Sequence, residues 1–187
     1  MNRFHRWYCR SSHWEKTLGQ EILPWALDGV NLGRDILEVG PGPGLTTNLL
    51  RQRFGQVTAI EIDPLLAASL KTRFSSTNVV VVEGDATQMP FADGSFSGVV
   101  SFTMLHHVPS PALQQGLLAE VYRVLKPGGT FVGTDSTWSL LFQLFHLFDT
   151  MTVVDPQTFG ARLERAGFTD ARVETASRRF KFCARHP

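Results

Sequence analysis

A chain of 187 residues, of which 43% are hydrophobic and 19% charged, has the size and composition of one globular domain. Its 18 Lys and Arg residues balance 17 Asp and Glu residues, and the net charge of +1 excludes a bulk attraction to nucleic acid or to an anionic membrane. Two cysteines, Cys9 and Cys183, exclude a disulfide framework and a four-thiolate metal site.

Several absences complete this picture. The first ten residues are positively charged but precede no apolar segment, so we expect no secretory signal. The most apolar window, Trp138–Phe148, has eleven residues, whereas a membrane span needs about 20. We therefore expect a cytoplasmic protein without a membrane span and without a bound metal ion.

The N-terminal region predicts a short aromatic helix. Ser12–Glu15 has the pattern of a capping box, in which the serine caps the helix. Trp14, Leu18 and Ile22 follow on one face, and Pro24 is expected to end the helix.

The middle of the chain alternates short apolar runs with helical patterns, which is typical of βαβ units and a parallel sheet. The runs are continuous instead of alternating, as expected of strands that are covered on both faces. The predicted strands are Ile36–Val39, Val57–Ile62, Val79–Val82, Phe96–Phe102 and Thr130–Thr134.

The predicted helices carry clear start and stop signals. Asp63, Ser110 and Asp155 each precede a proline, which combines a good N-cap with a residue suited to the first helical turn. The run from Leu113 to Leu125 has helical spacing and ends at Lys126–Gly129. A last helix closes at Gly167, and a terminal hairpin pairs Val173–Thr175 with Phe180–Ala184.

The glycine-rich turn after the first strand points to a ligand. Gly40, Gly42 and Gly44 allow a sharp turn and close approach of a ligand, and we expect their N–H groups to be the available donors because Pro41 and Pro43 have none. The dinucleotide fingerprint requires a third glycine at the position of Leu45, which disfavours a nicotinamide-dependent oxidoreductase.

This turn, with an acid two residues before it, resembles the first motif of class I S-adenosylmethionine-dependent methyltransferases. Further segments resemble later motifs of small-molecule enzymes of the ubiquinone and menaquinone biosynthesis type. The resemblance covers about residues 34–135 and the turn Ala166–Phe168. Its motifs are Ile36–Gly44, Glu61 after the second strand, Val82–Ala86 with Met89–Phe91, Ser95–Ser101, Leu105–Val108 and Val121–Gly129.

The resemblance implies an α/β, doubly wound, Rossmann-like sheet of seven strands in the order 3-2-1-4-5-7-6, with strand 7 antiparallel, in a single domain. It also implies S-adenosylmethionine as methyl donor and S-adenosylhomocysteine as product.

The resemblance further implies which residues bind the donor. The carboxylate of Glu61 is placed to accept hydrogen bonds from the ribose hydroxyls, and Asp85 corresponds to the acid that accepts a hydrogen bond from the adenine amino group. The implied donor-binding residues are Glu38, Gly40, Gly42, Gly44, Glu61, Ile62, Asp85, Ala86, Ser101 and Phe102. Ser97 departs from the family, which usually carries Asp there.

Methyl transfer is an in-line displacement, so positioning and exclusion of water dominate, and a base is needed only for a weakly acidic nucleophile. His106 is the candidate base, because it follows strand 4, close to where this family places the methyl group. Tyr8 is a second candidate of this kind.

Two aromatic segments outside the donor motifs predict a small hydrophobic acceptor. One contains Trp7, Tyr8 and Trp14, and the other is Trp138–Phe148, in which Ser139, Gln143 and His146 share one stripe. We predict four parts of the single domain: residues 1–30 as an aromatic lid, 34–135 as donor-binding core, 136–154 as acceptor-side segment and 155–187 as last helix and hairpin.

Two alternatives stay open. Val57–Asp63 resembles the second motif of rRNA adenine dimethyltransferases, but Phe102–Leu105 stands where those enzymes carry the Asn-Leu/Ile-Pro-Tyr/Phe motif that holds a flipped base. There is also no basic excess for backbone contacts, so we expect no nucleic-acid partner. The other alternative is a non-catalytic S-adenosylmethionine-binding protein, which needs only the loop, Glu61 and Asp85.

Overall fold

The structure is a computed structural model that describes Tyr8, residues 11–146 and residues 149–187. Within these residues one sheet contains β1 (Asp35–Val39), β2 (Gln56–Glu61), β3 (Val79–Glu83), β4 (Phe96–Phe102), β5 (Leu125–Ser136), β6 (Thr169–Ala176) and β7 (Arg179–Arg185). The strand order is β3-β2-β1-β4-β5-β7-β6. Strands β1 to β5 pair in parallel, and β7 is antiparallel to both neighbours. The predicted seven-stranded order and the antiparallel strand are confirmed.

Helices cover both faces of this sheet. They are α1 (Ser12–Thr17), a π-helical turn (Leu18–Ile22), α2 (Leu23–Leu27), α3 (Leu45–Leu50), α4 (Pro64–Arg73), a 3-10 turn (Leu105–His107), α5 (Pro111–Val124), α6 (Leu140–Phe145) and α7 (Pro156–Arg165). The three predicted N-caps are confirmed, because the side chains of Asp63, Ser110 and Asp155 each accept a hydrogen bond from an N–H of the following turn.

Neighbouring residues of the central strands point into two different cores. Leu37 and Phe131 are fully buried in the core that includes α5 and α7. Ile36 and Val132 are fully buried in the core that includes the N-terminal helices, α3 and α4. The central strands are therefore covered on both faces, as their continuous apolar runs predict.

The N-terminal helix differs from its prediction at both ends. Ser11, not Ser12, is the N-cap, since its side chain accepts the N–H of Trp14. The chain also stays helical beyond Pro24, because the π-helical turn ends with a bond from the Leu23 N–H to the Leu18 carbonyl. Pro24 thereby falls in the first turn of α2, where its missing N–H breaks no helical bond.

Strand β5 begins earlier than predicted, directly at the end of α5. Its register places Leu125 opposite Phe96 and Thr130 opposite Gly98, so residues 126–129 form an irregularity that still belongs to the strand. The positive φ of Gly128 (78°) allows this bulge.

In the described part of the chain, no helix combines the length and the hydropathy that crossing a membrane would require.

Candidate active site

A cavity of about 650 Å³ opens where the carboxyl ends of β1 to β5 meet. Its size lies within the range of about 300–1,000 Å³ that is usual for small-molecule sites. The loops that follow β1, β2 and β3 bound one half, which contains Gly42, Glu61 and Asp85. The turn after β4, the end of β5 and α6 bound the other half, which contains His106 and Phe142.

The glycine loop is held by its own hydrogen bonds. The N–H of Gly40 donates to the Ile60 carbonyl, that of Gly42 to a Glu61 carboxylate oxygen and that of Gly44 to the Pro41 carbonyl. In this structure the three N–H groups therefore meet acceptors of the chain itself, and their contact with a ligand stays a prediction. The glycines are also needed for backbone shape, since their φ angles are 67°, 54° and 77°.

Gly42 has a positive φ and also lies beside open space. A Cβ added there would meet no atom within 4 Å, whereas one at Gly40 would lie 2.2 Å from Met104 Cγ. Because Gly42 lines the cavity, an added methyl group would protrude into the space available to a ligand.

We expect Gly42→Ala to weaken binding of the predicted methyl donor by at least about tenfold. The alanine methyl group would occupy space in the half of the cavity that contains Gly42, Glu61 and Asp85, which we call the donor half. Its matched control is Gly29→Ala, which has a similar φ of 66°, equally open surroundings and no place in the cavity wall. Both variants should lose about 1 kcal/mol of stability from the left-handed backbone. Calorimetric titration with the donor distinguishes them, and equal affinities would show that Gly42 faces no ligand.

Glu61 is a buried carboxylate that lines the cavity. One oxygen accepts the N–H of Gly42 and the other accepts the N–H of Asp63, both at 2.9 Å. Burial raises the pKa of Glu61, and these two N–H bonds partly oppose the shift. The two bonds fix the carboxylate, and the remaining lone pairs can accept further hydrogen bonds.

Glu38 does not line the cavity and lies beneath the loop. It is buried, and its carboxylate accepts hydrogen bonds from the hydroxyls of Thr46 and Thr47, the latter at 2.6 Å. Burial raises the pKa of Glu38 to about 7 against the opposing effect of the two hydroxyls. Glu38 therefore joins the end of β1 to the start of α3 and positions the loop, and its predicted contact with the donor stays a prediction.

The pKa of Glu38 predicts a pH-dependent stability. Between about pH 4.3, where an unfolded glutamate titrates, and pH 7 the folded state holds a proton that the unfolded state has released. The free energy of unfolding should therefore fall as pH rises through this window, by up to about 3 kcal/mol. Glu38→Gln should reduce this slope to the part that the raised pKa of Glu61 contributes, and the exposed Glu164→Gln should retain the whole slope. Urea unfolding at several pH values measures the slope, and an unchanged slope in Glu38→Gln would contradict the assignment.

Two other predicted donor residues, Gly44 and Ser101, are not among the residues that line the cavity, and their contact with the donor stays a prediction. The space where a Gly44 side chain would be is filled by Leu70, 2.4 Å from an added Cβ. Ser101 is fully buried within β4. The predicted residues that do line the cavity are Gly40, Gly42, Glu61, Ile62, Asp85, Ala86, Phe102 and His106.

Ser97, the departure from the family pattern, lies at the amino end of β4, away from the cavity. Its Oγ lies 2.8 Å from the Leu32 carbonyl oxygen and 2.9 Å from that of Asp35, can donate its one proton to either, and accepts the N–H of Asp35. The serine thus joins the starts of β1 and β4, and the departure leaves the cavity unaffected.

His106 is oriented by a buried carboxylate that the sequence analysis missed. Its backbone N–H donates to one oxygen of Asp135 at 3.0 Å, and its Nδ1 lies 2.5 Å from the other. Asp135 is fully buried and His106 is 2% exposed. The available signal was the position of Asp135 at the carboxyl end of β5, the edge at which ligands bind in doubly wound sheets.

Two further histidines lie beside His106. The candidate ligand atoms of His106, His107 and His146 are all within 4.8 Å of one another, and all three side chains line the cavity. Nδ1 of His146 lies 2.8 Å from the Phe142 carbonyl, and burial lowers the pKa of His146.

The predicted polar stripe on α6 is divided among different roles. Ser139 caps the helix, Gln143 is exposed and His146 is buried. Of the predicted aromatic residues, Tyr8 and Trp14 line the cavity, and Trp138 is 58% exposed. Trp7, Cys9 and Phe148 lie outside the described residues.

Apolar side chains from both predicted aromatic segments contribute to the cavity wall. Those from the N-terminal helices lie in the same wall as those near α5 and α6. They include Trp14, Leu18, Ile22, Val108, Leu113 and Phe142.

Comparisons with known proteins agree in matching this chain to a methyltransferase domain. Residues 37–133 match the family described as methyltransferase domain. The chain is 30% identical over 192 residues to the ubiquinone biosynthesis O-methyltransferase of Pseudomonas fluorescens, an alignment that covers 88% of this chain and 78% of the relative. It is also 41% identical to the probable ribosomal RNA small subunit methyltransferase A of Thermococcus onnurineus, but over only 80 residues, 42% of this chain and 28% of the relative.

The fold has close counterparts among solved structures. Phosphoethanolamine N-methyltransferase 2 of Haemonchus contortus, in complex with phosphomonomethylethanolamine and S-adenosylhomocysteine, superposes with a TM-score of 0.74 over 91% of this chain and 52% of that chain. Its sequence identity of 18% shows a common fold only.

Proposed function

We propose, since this chain belongs to the methyltransferase domain family of class I S-adenosylmethionine-dependent enzymes, that it methylates a hydroxyl of a small apolar molecule. The family assignment rests on the match over residues 37–133 and on the relative at 30% identity. The proposal of the acceptor rests on one observation. The residues suited to the donor and an apolar wall with three histidines line the same cavity.

The donor half fits S-adenosylmethionine, which when bound supplies a methyl group on a sulfonium. Gly42 leaves open space beside the loop, and Glu61 presents a fixed carboxylate that can accept from ribose hydroxyls. Asp85 lies at the end of the next strand, where its Oδ1 already accepts from the N–H and hydroxyl of Thr87. We therefore assign Glu61 to the ribose, Asp85 with Ala86 to the adenine side, and Ile62 and Phe102 to the surrounding wall.

At the acceptor half, we assign His106 as the residue that takes the proton of the acceptor hydroxyl. The carboxylate of Asp135 accepts the Nδ1–H, which leaves the Nε2 lone pair of His106 as the proton acceptor. As the hydroxyl proton moves to Nε2, the buried Asp135 carboxylate stabilises the positive charge of the imidazolium. The acceptor oxygen thereby gains the electron density with which it forms the new bond to the methyl carbon, while the carbon–sulfur bond of the donor breaks and its electron pair leaves with the sulfur of S-adenosylhomocysteine.

The apolar wall supports a hydrophobic acceptor. Aromatic and aliphatic side chains such as Trp14 and Phe142 gain free energy when an apolar surface displaces water from them. Such a wall also excludes water, which would otherwise compete with the acceptor for the histidines.

The relatives favour this acceptor over RNA. A relative that aligns with 88% of this chain is named as an O-methyltransferase of ubiquinone biosynthesis. The rRNA methyltransferase aligns with less than half of this chain, and the net charge of +1 provides no excess of cations for a phosphate backbone. RNA methylation is accordingly the second candidate in the test.

The test supplies purified protein with methyl-labelled S-adenosylmethionine and four acceptors in separate reactions: an apolar catechol, an apolar thiol, a small charged amine and ribosomal RNA. We expect label in the catechol, with S-adenosylhomocysteine formed in equal amount. Label only in the amine or the thiol would overturn the hydroxyl acceptor, and label only in RNA would favour the second candidate. Tight donor binding without turnover of any acceptor would favour a non-catalytic binding protein.

A further inference from the structure

We infer that His106, His107 and His146 form a binding site for one divalent transition-metal ion of the Zn²⁺ class. Their candidate ligand atoms lie within 4.8 Å of one another at the same wall of the cavity. The binding site is argued from this geometry alone, whereas its role in holding the acceptor rests on the proposed function. The inference replaces the expectation from the sequence that the protein holds no metal ion.

Hydrogen bonds to Nδ1 determine which nitrogens of His106 and His146 can act as metal ligands. Nδ1 of His106 is bound to the Asp135 carboxylate, and Nδ1 of His146 to the Phe142 carbonyl. A carboxylate and a carbonyl only accept hydrogen bonds, so both Nδ1 atoms carry the hydrogen and both Nε2 atoms carry the lone pair. This arrangement, with a carboxylate or carbonyl behind the ligating imidazole, is the usual one for histidines that bind metals.

The Nε2 atom of His106 needs an electropositive partner. It is buried and has no hydrogen-bond partner among the described residues. The rings of His106 and His146 are only 4.9 Å apart and nearly perpendicular, at 88°. A buried acceptor without a donor is costly, and an ion placed among the three imidazoles removes that cost.

The donor set selects the class of ion. Three neutral imidazoles suit Zn²⁺, Cu²⁺, Ni²⁺ or Fe²⁺, whereas Mg²⁺ and Ca²⁺ require oxygen ligands. A Zn–N distance of about 2.0–2.1 Å places tetrahedral ligand atoms about 3.4 Å apart. The ligand atoms therefore have to approach one another by up to about 1.4 Å from their separations of at most 4.8 Å, and His107 is the most suited to move because it is only half-buried.

Three protein ligands and one open position are typical of catalytic zinc sites. Here the open position faces the cavity, because all three histidines line it. An acceptor hydroxyl bound there would lose its proton to solvent, and the ion would stabilise the resulting oxyanion. In the protein with bound metal, Nε2 of His106 is a ligand of the ion and no longer accepts the proton of the hydroxyl. The ion then activates the acceptor in its place.

The experiment titrates chelator-treated full-length protein with Co²⁺ and with Zn²⁺ in the absence of donor and acceptor. We expect one ion per chain and a Co²⁺ visible spectrum typical of tetrahedral coordination. His146→Ala should lower the affinity at least about 100-fold, and Asp135→Asn about 10- to 100-fold through the loss of its support of His106. His13→Ala, an exposed histidine outside the cluster, should bind like the wild type.

Donor binding is measured on the same proteins to show that the variants are folded. If the wild type binds no ion stoichiometrically, or if folded His146→Ala binds it as tightly as the wild type, the inference is overturned. Methylation of the catechol by a protein that binds no ion would overturn the metal site and leave the proposed function standing. The opposite result is also possible: the wild type binds the ion, His146→Ala does not, and the wild type methylates none of the four acceptors. This result would support the metal site and contradict the proposed function.

Discussion

Replacement of Glu61 by Gln is expected to weaken S-adenosylmethionine binding at least about 100-fold. The carboxylate would accept from two ribose hydroxyls, and a hydrogen bond to a charged group is worth about 1.5–3 kcal/mol. The amide also presents an NH₂ group to the N–H of either Gly42 or Asp63, both of which now donate to the carboxylate. The loop therefore loses part of its own support together with the ligand contact. Calorimetric titration of both proteins with the donor measures the change.

The sequence offers a matched control for this substitution. Glu83 is paired with Glu61 in the sheet register, at the end of the neighbouring strand, but it is exposed and outside the cavity wall. Glu83→Gln removes the same charge from the same edge and should leave donor affinity nearly unchanged. If both variants bind the donor equally, net charge accounts for the effect and the ribose assignment of Glu61 is wrong.

Replacement of His106 by Ala is expected to lower kcat for methyl transfer by about 10²- to 10⁴-fold, the usual contribution of a positioned acid or base. The variant removes the ring nitrogen that is bound to the buried Asp135 carboxylate. Donor affinity should stay unchanged, because His106 lies in the other half of the cavity. Single-turnover measurements with saturating donor separate the chemical step from product release.

Asp135→Asn tests the contribution of the carboxylate that holds His106 through its Nδ1–H. The amide can still accept the Nδ1–H of His106, but it lacks the charge that stabilises the imidazolium, so kcat should fall by less than in His106→Ala. The control is His186→Ala, whose ring stacks on Tyr122 and lies outside the cavity. Wild-type kcat in His106→Ala would remove the histidine from the mechanism.

Much of the fold could be predicted because its causes are local. A buried strand needs a continuous apolar run, and a helix start needs an acceptor for its free N–H groups, so Asp63, Ser110 and Asp155 were identified correctly. The start and the end of the N-terminal helix were predicted wrongly. Ser11 and Ser12 are both good caps, and the π-helical turn that accommodates Pro24 has no signal in sequence spacing.

The donor half could be predicted in position but not in detail. Gly42, Glu61 and Asp85 follow three successive strands, and parallel strands place their carboxyl ends at one edge. Whether a loop N–H faces a ligand or an internal acceptor depends on the Glu61 side chain, which approaches from another strand. The sequence therefore identified the loop glycines, and only the structure shows that their N–H groups meet acceptors within the chain.

By itself, the sequence of this protein determined the sheet, the edge at which the cavity opens and the methyltransferase-type motifs, because strand periodicity, helix caps and short motifs act over a few residues. Only the tertiary structure decided the other half of the cavity. Asp135 is 29 residues from His106 along the chain, and His146 joins them from a separate helix end. Their juxtaposition follows from the packing of β4, β5 and α6, and contacts of this separation leave no periodic trace in a single sequence.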